Sequence, residues 1–241
     1  MNSTNHRALA ACIEHTLLKP ESGIDAIKKH CEEALEFGFG GICILPVWVK
    51  AARDLVAGSP VKVCTVAGFP LGAQMTPVKV LEAEIAVNQG ADELDMVIFI
   101  GALKQREDRV VEEDIRQVVN AAGSVPVKAI LETALLTEEE KRRAASAAIR
   151  SGAAFLKTST GFFGGATVQD VRLLKKAAVS TNVKIKASGG IRRLSQAVAM
   201  LEAGASRIGT SSSVAIMEEL RSMSKSSVKQ FIFKEIGDID S

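Results

Sequence analysis

Apolar positions along this chain follow two alternating rhythms. Short runs rich in Val, Ile, Leu and Ala occur at 12–18 (CIEHTLL), 41–45 (GICIL), 61–68 (VKVCTVAG) and 93–100 (ELDMVIFI). Four more follow at 125–133 (VPVKAILET), 153–159 (AAFLKTS), 183–190 (VKIKASGG) and 206–211 (SRIGTS). Runs this short and this apolar predict strands buried on both faces, as in a parallel sheet. Between them the spacing changes to that of a helix stripe. Ile24, Ile27, Cys31, Ala34 and Leu35 share one face of 24–37, and Val80, Leu81 and Ile85 share one face of 77–88. Helical periods also cover 109–121, 138–149, 167–179 and 194–201. Thr137 ahead of Glu140 predicts a helix start with a capping box. Gly38, Gly90, Gly152 and Gly204 each follow a helical segment, where a terminal glycine is expected.

Three similar phrases, NQGADEL, RSGAAFL and EAGASRI, read as helix end, tight turn, strand. Repetition of this unit predicts α/β architecture in a single domain over 1–241. Eight βα units in about 220 residues are what a (β/α)8 barrel, the TIM barrel, requires; an open doubly wound sheet is the runner-up. The polar stretch from about 223 reads as a loosely docked tail.

Composition narrows the function classes. Hydrophobic residues make up 47% and charged residues 24%, and the net charge of +2 is spread without a basic stripe. Neither a nucleic acid nor a membrane is therefore an expected partner. No apolar run approaches the roughly 20 residues of a membrane helix. Glu14 and His15 interrupt the N-terminal apolar stretch, so no signal peptide is read. Cys12, Cys31, Cys43 and Cys64 lack CxxC spacing and read as reduced thiols of a cytoplasmic protein. His6, His15 and His30 have no partners at ligand spacing, so no metal site is expected. Neither a GxGxxG helix start nor a phosphate-binding GxxxxGK[ST] is present, and no cofactor is expected.

In a barrel of this kind the chemistry sits at the C-terminal ends of the strands. Alternation puts Phe155, Lys157 and Ser159 on one face, Lys184, Lys186 and Ser188 on another, and Glu93, Asp95 and Val97 on a third; Glu14, Thr16 and Leu18 share a face of the first strand. If these faces point inward, Lys157 and Lys186 meet from adjacent strands roughly 5 Å apart. Two ammonium groups at that spacing repel by about 3 kcal/mol at an effective dielectric of about 20, so one of them is expected to lose about two pKa units. A neutral amine attacks a carbonyl carbon. Asp95 is placed to pair with a lysine or to move protons. Small-residue loops follow: Thr158 to Gly161, Ser188 to Gly190, and Gly209 to Ser212. Glycines there let backbone N–H groups approach an anion, and the loops after strands seven and eight are the usual phosphate site of such barrels.

The phrases EHTLLKP, VAGFPLG, GADELDMVI, ILET, LKTSTGF, KASGGIR and GASRIGTSS occur in this order from Glu14 to Ser212. They resemble the deoxyribose-phosphate aldolase family. The resemblance implies a metal-free class I aldolase on a (β/α)8 barrel. It implies reversible cleavage of a sugar phosphate, 2-deoxy-D-ribose 5-phosphate, to D-glyceraldehyde 3-phosphate and acetaldehyde. By it, Lys157 matches the Schiff-base lysine, Lys186 the second lysine and Asp95 the proton-relaying aspartate. Gly189, Gly190, Ser211 and Ser212 match the phosphate cradle, and Thr16 and Gly161 are expected beside them as substrate or phosphate contacts. A homodimer is expected because the family is often dimeric. The chain departs from the family pattern at Glu14, Phe99, Ala154 and Lys184, and it has no tyrosine to serve as the C-terminal proton donor of some members. Glu14, where Asp is usual, is expected to reach about one methylene further into the barrel mouth. A class I aldolase with another donor, and a phosphate-binding barrel that has lost its catalysis, are the competing readings.

Overall fold

A computed structural model describes residues 3–223. Eight parallel strands pair in sequence order and close, β8 joining β1, so the architecture is the (β/α)8 barrel rather than the open sheet. The strands are β1 (Ile13–Leu17), β2 (Gly41–Ile44), β3 (Lys62–Ala67), β4 (Glu93–Val97), β5 (Val127–Ile130), β6 (Phe155–Lys157), β7 (Lys184–Ser188) and β8 (Arg207–Thr210). The helices around them are α1 (Ser3–Ala11), α2 (Ile24–Phe37), α3 (Val49–Leu55), α4 (Thr76–Asn88) and α5 (Ile100–Lys104). They continue with α6 (Asp108–Ala122), α7 (Glu138–Arg150), α8 (Val168–Ala177), α9 (Leu194–Glu202) and α10 (Ser213–Ser222). The tail expected from about 223 lies, beyond Met223, outside the described residues.

All eight strands are shorter than the apolar runs that predicted them. The pattern marks where residues are buried, and burial continues past the last ladder bond into the loops at the rim. Phe99 and Ile100 illustrate this: β4 stops at Val97, and Ile100 begins α5. The sequence reading also missed α1 and α10, and the short α3 and α5 carry too few turns for their period to register in sequence. The capping box forms as expected: Glu140 N–H donates to Thr137 Oγ1 at 3.3 Å, and Thr137 N–H to Glu140 Oε2 at 2.8 Å.

Two separate interiors follow from strand alternation. The outward faces of the strands, with the inward stripes of the helices, form the main apolar core, including Ile42, Leu94, Met96, Ala129, Leu156, Ile185 and Ile208. The inside of the barrel is different. Its apolar part is a small cluster, Cys43, Cys64 and Val66. Beside it and the inward-facing Val97, Ile130 and Phe155 stand charged groups: Glu14, Glu93, Asp95, Lys128, Lys157 and Lys186 are all buried. Branched aliphatic side chains are the usual filling of such a barrel.

The outward neighbour of Glu14 is His15, whose ring stacks on His30 of α2 at 3.7 Å between centroids. His15 Nε2 lies 2.9 Å from Glu33 Oε2, and His30 Nε2 lies 3.0 Å from the His15 carbonyl. Burial pulls the His15 pKa down to about 4. Burial, then the neighbouring His15, pulls His30 down to about 3. The unfolded chain binds these protons near pH 6.5, whereas the folded chain refuses them until about pH 4. Stability is therefore full above pH 6.5 and falls as pH drops through that window, by about 1.4 kcal/mol per histidine per unit. Urea midpoints between pH 7 and 4.5 are expected to fall steeply, and His30→Leu is expected to flatten the slope. An equal slope in the variant would rule out this cause.

Candidate active site

The charged interior is a connected set of ion pairs reaching from the floor of the barrel to its mouth. Register brings Lys157 of β6 level with Lys186 of β7 and with Ile130 of β5, and brings Asp95 of β4 level with Lys128 of β5. At the centre, Asp95 Oδ2 accepts from Lys157 Nζ and from Lys186 Nζ, each at 2.6 Å. Its other oxygen, Oδ1, accepts from Lys128 Nζ at 2.9 Å and from the Cys64 thiol at 3.1 Å. Glu14 accepts from Lys186 through Oε2, and from Lys128 and Arg207 through Oε1, both at 3.3 Å. Lower still, Glu93 pairs with Lys128 at 2.6 Å and with the half-exposed Lys62 at 3.0 Å. Lys184 begins β7 on the exposed floor and takes no part in this set.

This arrangement corrects the expectation of bare repulsion between two lysines. Lys157 and Lys186 share the Asp95 carboxylate that stands between them. Burial lowers the pKa of Lys186, but Asp95 and Glu14 outweigh it, and the net shift is upward. Lys128 is likewise raised: burial opposes its charge, while Asp95, Cys64, Glu14 and Glu93 hold it. Burial works against the Asp95 carboxylate too, yet Lys128, Lys157 and Lys186 keep its pKa well below the usual range. Glu93 is held down to about 2 by Lys128 and Arg207 against its own burial. Asp95 and Glu93 are thus permanently ionised near neutral pH, and Lys128 and Lys186 are permanent cations. Glu14 corrects a second expectation. It lies beneath the mouth as the anchor of Lys186, since its position on β1 is level with Gly209 of β8 and two residues nearer the floor than Thr16.

Above Lys157 opens a cavity of about 430 Å³. Thr16, Lys157, Gly161, Gly189, Gly190 and Ser211 all line it. Asp95, which accepts from Lys157, and Lys186 are not on its wall. Ser212 is also not on its wall; its N–H donates to Thr210 Oγ1 at 3.0 Å, just ahead of α10. Backbone shape explains the glycines. Gly161 and Gly189 both have φ of +91°, and a Cβ on Gly189 would stand 2.8 Å from Ser159 Oγ and 2.9 Å from the Gly164 carbonyl. Ser159 and Ser188 lock the two loops together, each hydroxyl donating to the other residue's carbonyl, at 2.5 and 2.6 Å. The result is a small-residue wall whose backbone N–H groups an anion could approach closely.

Reading strand faces from sequence found Lys157, Lys186 and Asp95 and missed Lys128, Arg207 and Glu132. A lysine in the middle of an otherwise apolar run, VPVKAIL, was the available signal for Lys128. Among the described residues, Glu14, Cys43, Cys64 and Asp95 bring ligand atoms within 4.8 Å of one another. Lysine ammonium groups already occupy the cation positions on both carboxylates. A second group, His15, His30 and Glu33, also brings its ligand atoms within 4.8 Å of one another, with the two rings stacked; it lies on the outward side of β1, away from the cavity.

Residues 8–219 match the model of the DeoC/LacD family aldolases. A deoxyribose-phosphate aldolase of a Geobacillus strain is 52% identical over 212 residues, covering 87% of this chain and 95% of that one. One from Clostridium kluyveri is 54% identical over 215 residues, covering 88% and 98%. Among solved structures, a putative deoxyribose-phosphate aldolase from Coccidioides immitis superposes with a TM-score of 0.88 at 38% identity, covering 90% of this chain and 87% of that one. A deoxyribose phosphate aldolase from Aeropyrum pernix, described as tetrameric, gives 0.84 at 34% identity, covering 90% and 92%.

Proposed function

The chain belongs to the DeoC/LacD aldolase family, and from that premise we propose how its own residues carry out the reaction. The protein cleaves 2-deoxy-D-ribose 5-phosphate reversibly to D-glyceraldehyde 3-phosphate and acetaldehyde. The observation that carries the assignment of roles is the Asp95 oxygen shared by Lys157 and Lys186 directly beneath the cavity.

Lys157 is the nucleophile, because it alone of the three central lysines touches the cavity. Its free amine attacks C1 of the open-chain sugar phosphate, and the carbinolamine loses water to give an iminium ion. The iminium draws the electron pair of the C2–C3 bond as the C3 hydroxyl gives up its proton. Glyceraldehyde 3-phosphate leaves. The enamine that remains takes a proton at C2, and water then releases acetaldehyde and restores the amine. Asp95 supports this as the bridge that holds the Nζ atoms of Lys157 and Lys186 on one oxygen; over it the charged Lys186 gives a proton to the departing carbinolamine hydroxyl and takes one back as the C3 hydroxyl is deprotonated. Lys128 and Glu14 keep that bridge charged and in place. The wall of Gly161, Gly189, Gly190 and Ser211 takes the phosphate. None of these steps calls on a metal or cofactor.

A cytoplasmic location fits the four unpaired cysteines. Among the described residues no helix is long and apolar enough to cross a membrane. A homodimer is supported by the exposed apolar stripe Val78, Leu81 and Ile85 along α4, continued by Met75 just ahead of it; sedimentation of a monomer at micromolar concentration would exclude it.

The function is tested by mixing the protein with deoxyribose 5-phosphate, adding borohydride and mapping the adduct by peptide mass spectrometry. The expected result is glyceraldehyde 3-phosphate in solution and a reduced imine on Lys157. Cleavage with an adduct on another lysine would overturn the assignment of roles, and no cleavage would overturn the function.

A further inference from the structure

Two non-glycine residues among those described hold a left-handed backbone, Arg106 and Glu132. Arg106 lies in an exposed turn, whereas Glu132 is completely buried. An L residue occupies this region only at a cost, and a buried carboxylate adds a second one. Burial pushes the Glu132 carboxyl up from its ordinary value, and the hydrogen bonds from Thr160, then the more distant charge of Lys157, only partly offset this. Both costs are concentrated at one point of contact.

That point is Thr160. Glu132 follows the end of β5, between Leu131 and Thr133, whose N–H groups donate to the Lys157 and Thr158 carbonyls at 2.9 Å each. With φ of 56° and ψ of 60°, Glu132 turns its side chain onto the loop that follows Lys157. There its carboxylate accepts from Thr160 N–H, at 3.2 Å to Oε2, and from Thr160 Oγ1. The same hydroxyl accepts from Phe162 N–H at 3.1 Å. Thr160, Gly161 and Phe162 are consecutive members of the cavity wall. A clamp on both sides of Gly161 therefore decides where its backbone stands.

We propose that Glu132 is a positioning residue that sets the Thr160–Phe162 wall to receive the phosphate end of the substrate, acting through Thr160. The proposal rests on the aldolase reading of the cavity. It differs from the role of Lys157, which binds the other end of the sugar.

Glu132→Gly is the informative variant, because glycine adopts φ of +56° freely and the fold is kept while the clamp is lost. Steady-state cleavage of deoxyribose 5-phosphate is expected to show KM raised by about 10- to 100-fold with kcat within about 3-fold, the mark of lost binding common to ground and transition states. Borohydride trapping of acetaldehyde on Lys157, which involves no phosphate, is expected to proceed at the wild-type rate. Thr160→Val should raise KM similarly, and the double variant should be no worse than either single one, since both break the same clamp. Glu132→Gln, whose amide oxygen still accepts from Thr160 N–H, should recover most of the loss. An unchanged KM, a matching loss in acetaldehyde trapping, or additive effects of the two substitutions would overturn the assignment of Glu132. Failure of the wild-type protein itself to trap acetaldehyde would instead remove the aldolase reading, and this proposal with it.

Discussion

Lys157→Met is expected to abolish cleavage, with kcat lowered by about 10^4-fold or more, the scale on which a covalent nucleophile is lost. It is also expected to leave the protein folded and at least as stable as before. The second half follows from counting charges. Four buried or nearly buried basic side chains, Lys128, Lys157, Lys186 and Arg207, face three carboxylates, Glu14, Glu93 and Asp95. Removing Lys157 leaves three against three, and methionine fills its volume. The urea midpoint is therefore expected to stay within about 1 kcal/mol of wild type or to rise. Cleavage rate and urea midpoint, measured on the same preparation, check both halves. Retained turnover would sink the nucleophile assignment, and a large drop in midpoint would show that Lys157 is needed to balance the interior.

Asp95→Asn is expected to do the reverse to stability while also removing activity. The substitution leaves four basic side chains facing two carboxylates in a largely buried site. Lys157, Lys186 and Lys128 all lose the carboxylate they now share. Breaking a buried pair costs about 3–5 kcal/mol because the charge left behind is uncompensated. Loss of the proton bridge is expected to lower kcat by about 10^2- to 10^4-fold. The asparagine amide still fits the space, so a folded variant is expected below its lowered midpoint. A variant as stable as wild type would show that the lysines are not charged as the ion pairs require. Normal kcat would remove Asp95 from proton transfer while leaving the lysine chemistry intact.

Part of the site is legible in the order of residues alone. Lys157 and Lys186 each occupy an in-phase position of a strand-like run, so alternation puts them on one surface. Asp95 is readable for the same reason. Glycines at 161, 189 and 190 stand where only loops admit them. Glu132 is out of reach, because its meaning lies in a left-handed turn that no pattern of apolar residues encodes. Lys128 obeys the same alternation as Lys157, but its strand ends in apolar residues rather than in a polar loop. Nothing local separates a lysine that anchors an ion-pair network from one that snorkels to the surface.

The sequence by itself determined the eight-fold alternation of strand and helix, the faces on which Lys157, Lys186 and Asp95 lie, and the resemblance carried by LKTSTGF and KASGGIR. These are local properties: a period of two or of 3.6, a glycine after a helix, a motif of consecutive residues. Tertiary structure decided the state of charge and the placement of the wall. Whether two neighbouring lysines repel or share a counterion depends on what closes in from β1, β4 and β5, strands that are distant in sequence. Glu14 and Lys186 meet only because β8 returns to β1 and closes the barrel. Electrostatic energy depends on distance in space and on exclusion of water, and both exist only once the chain has folded.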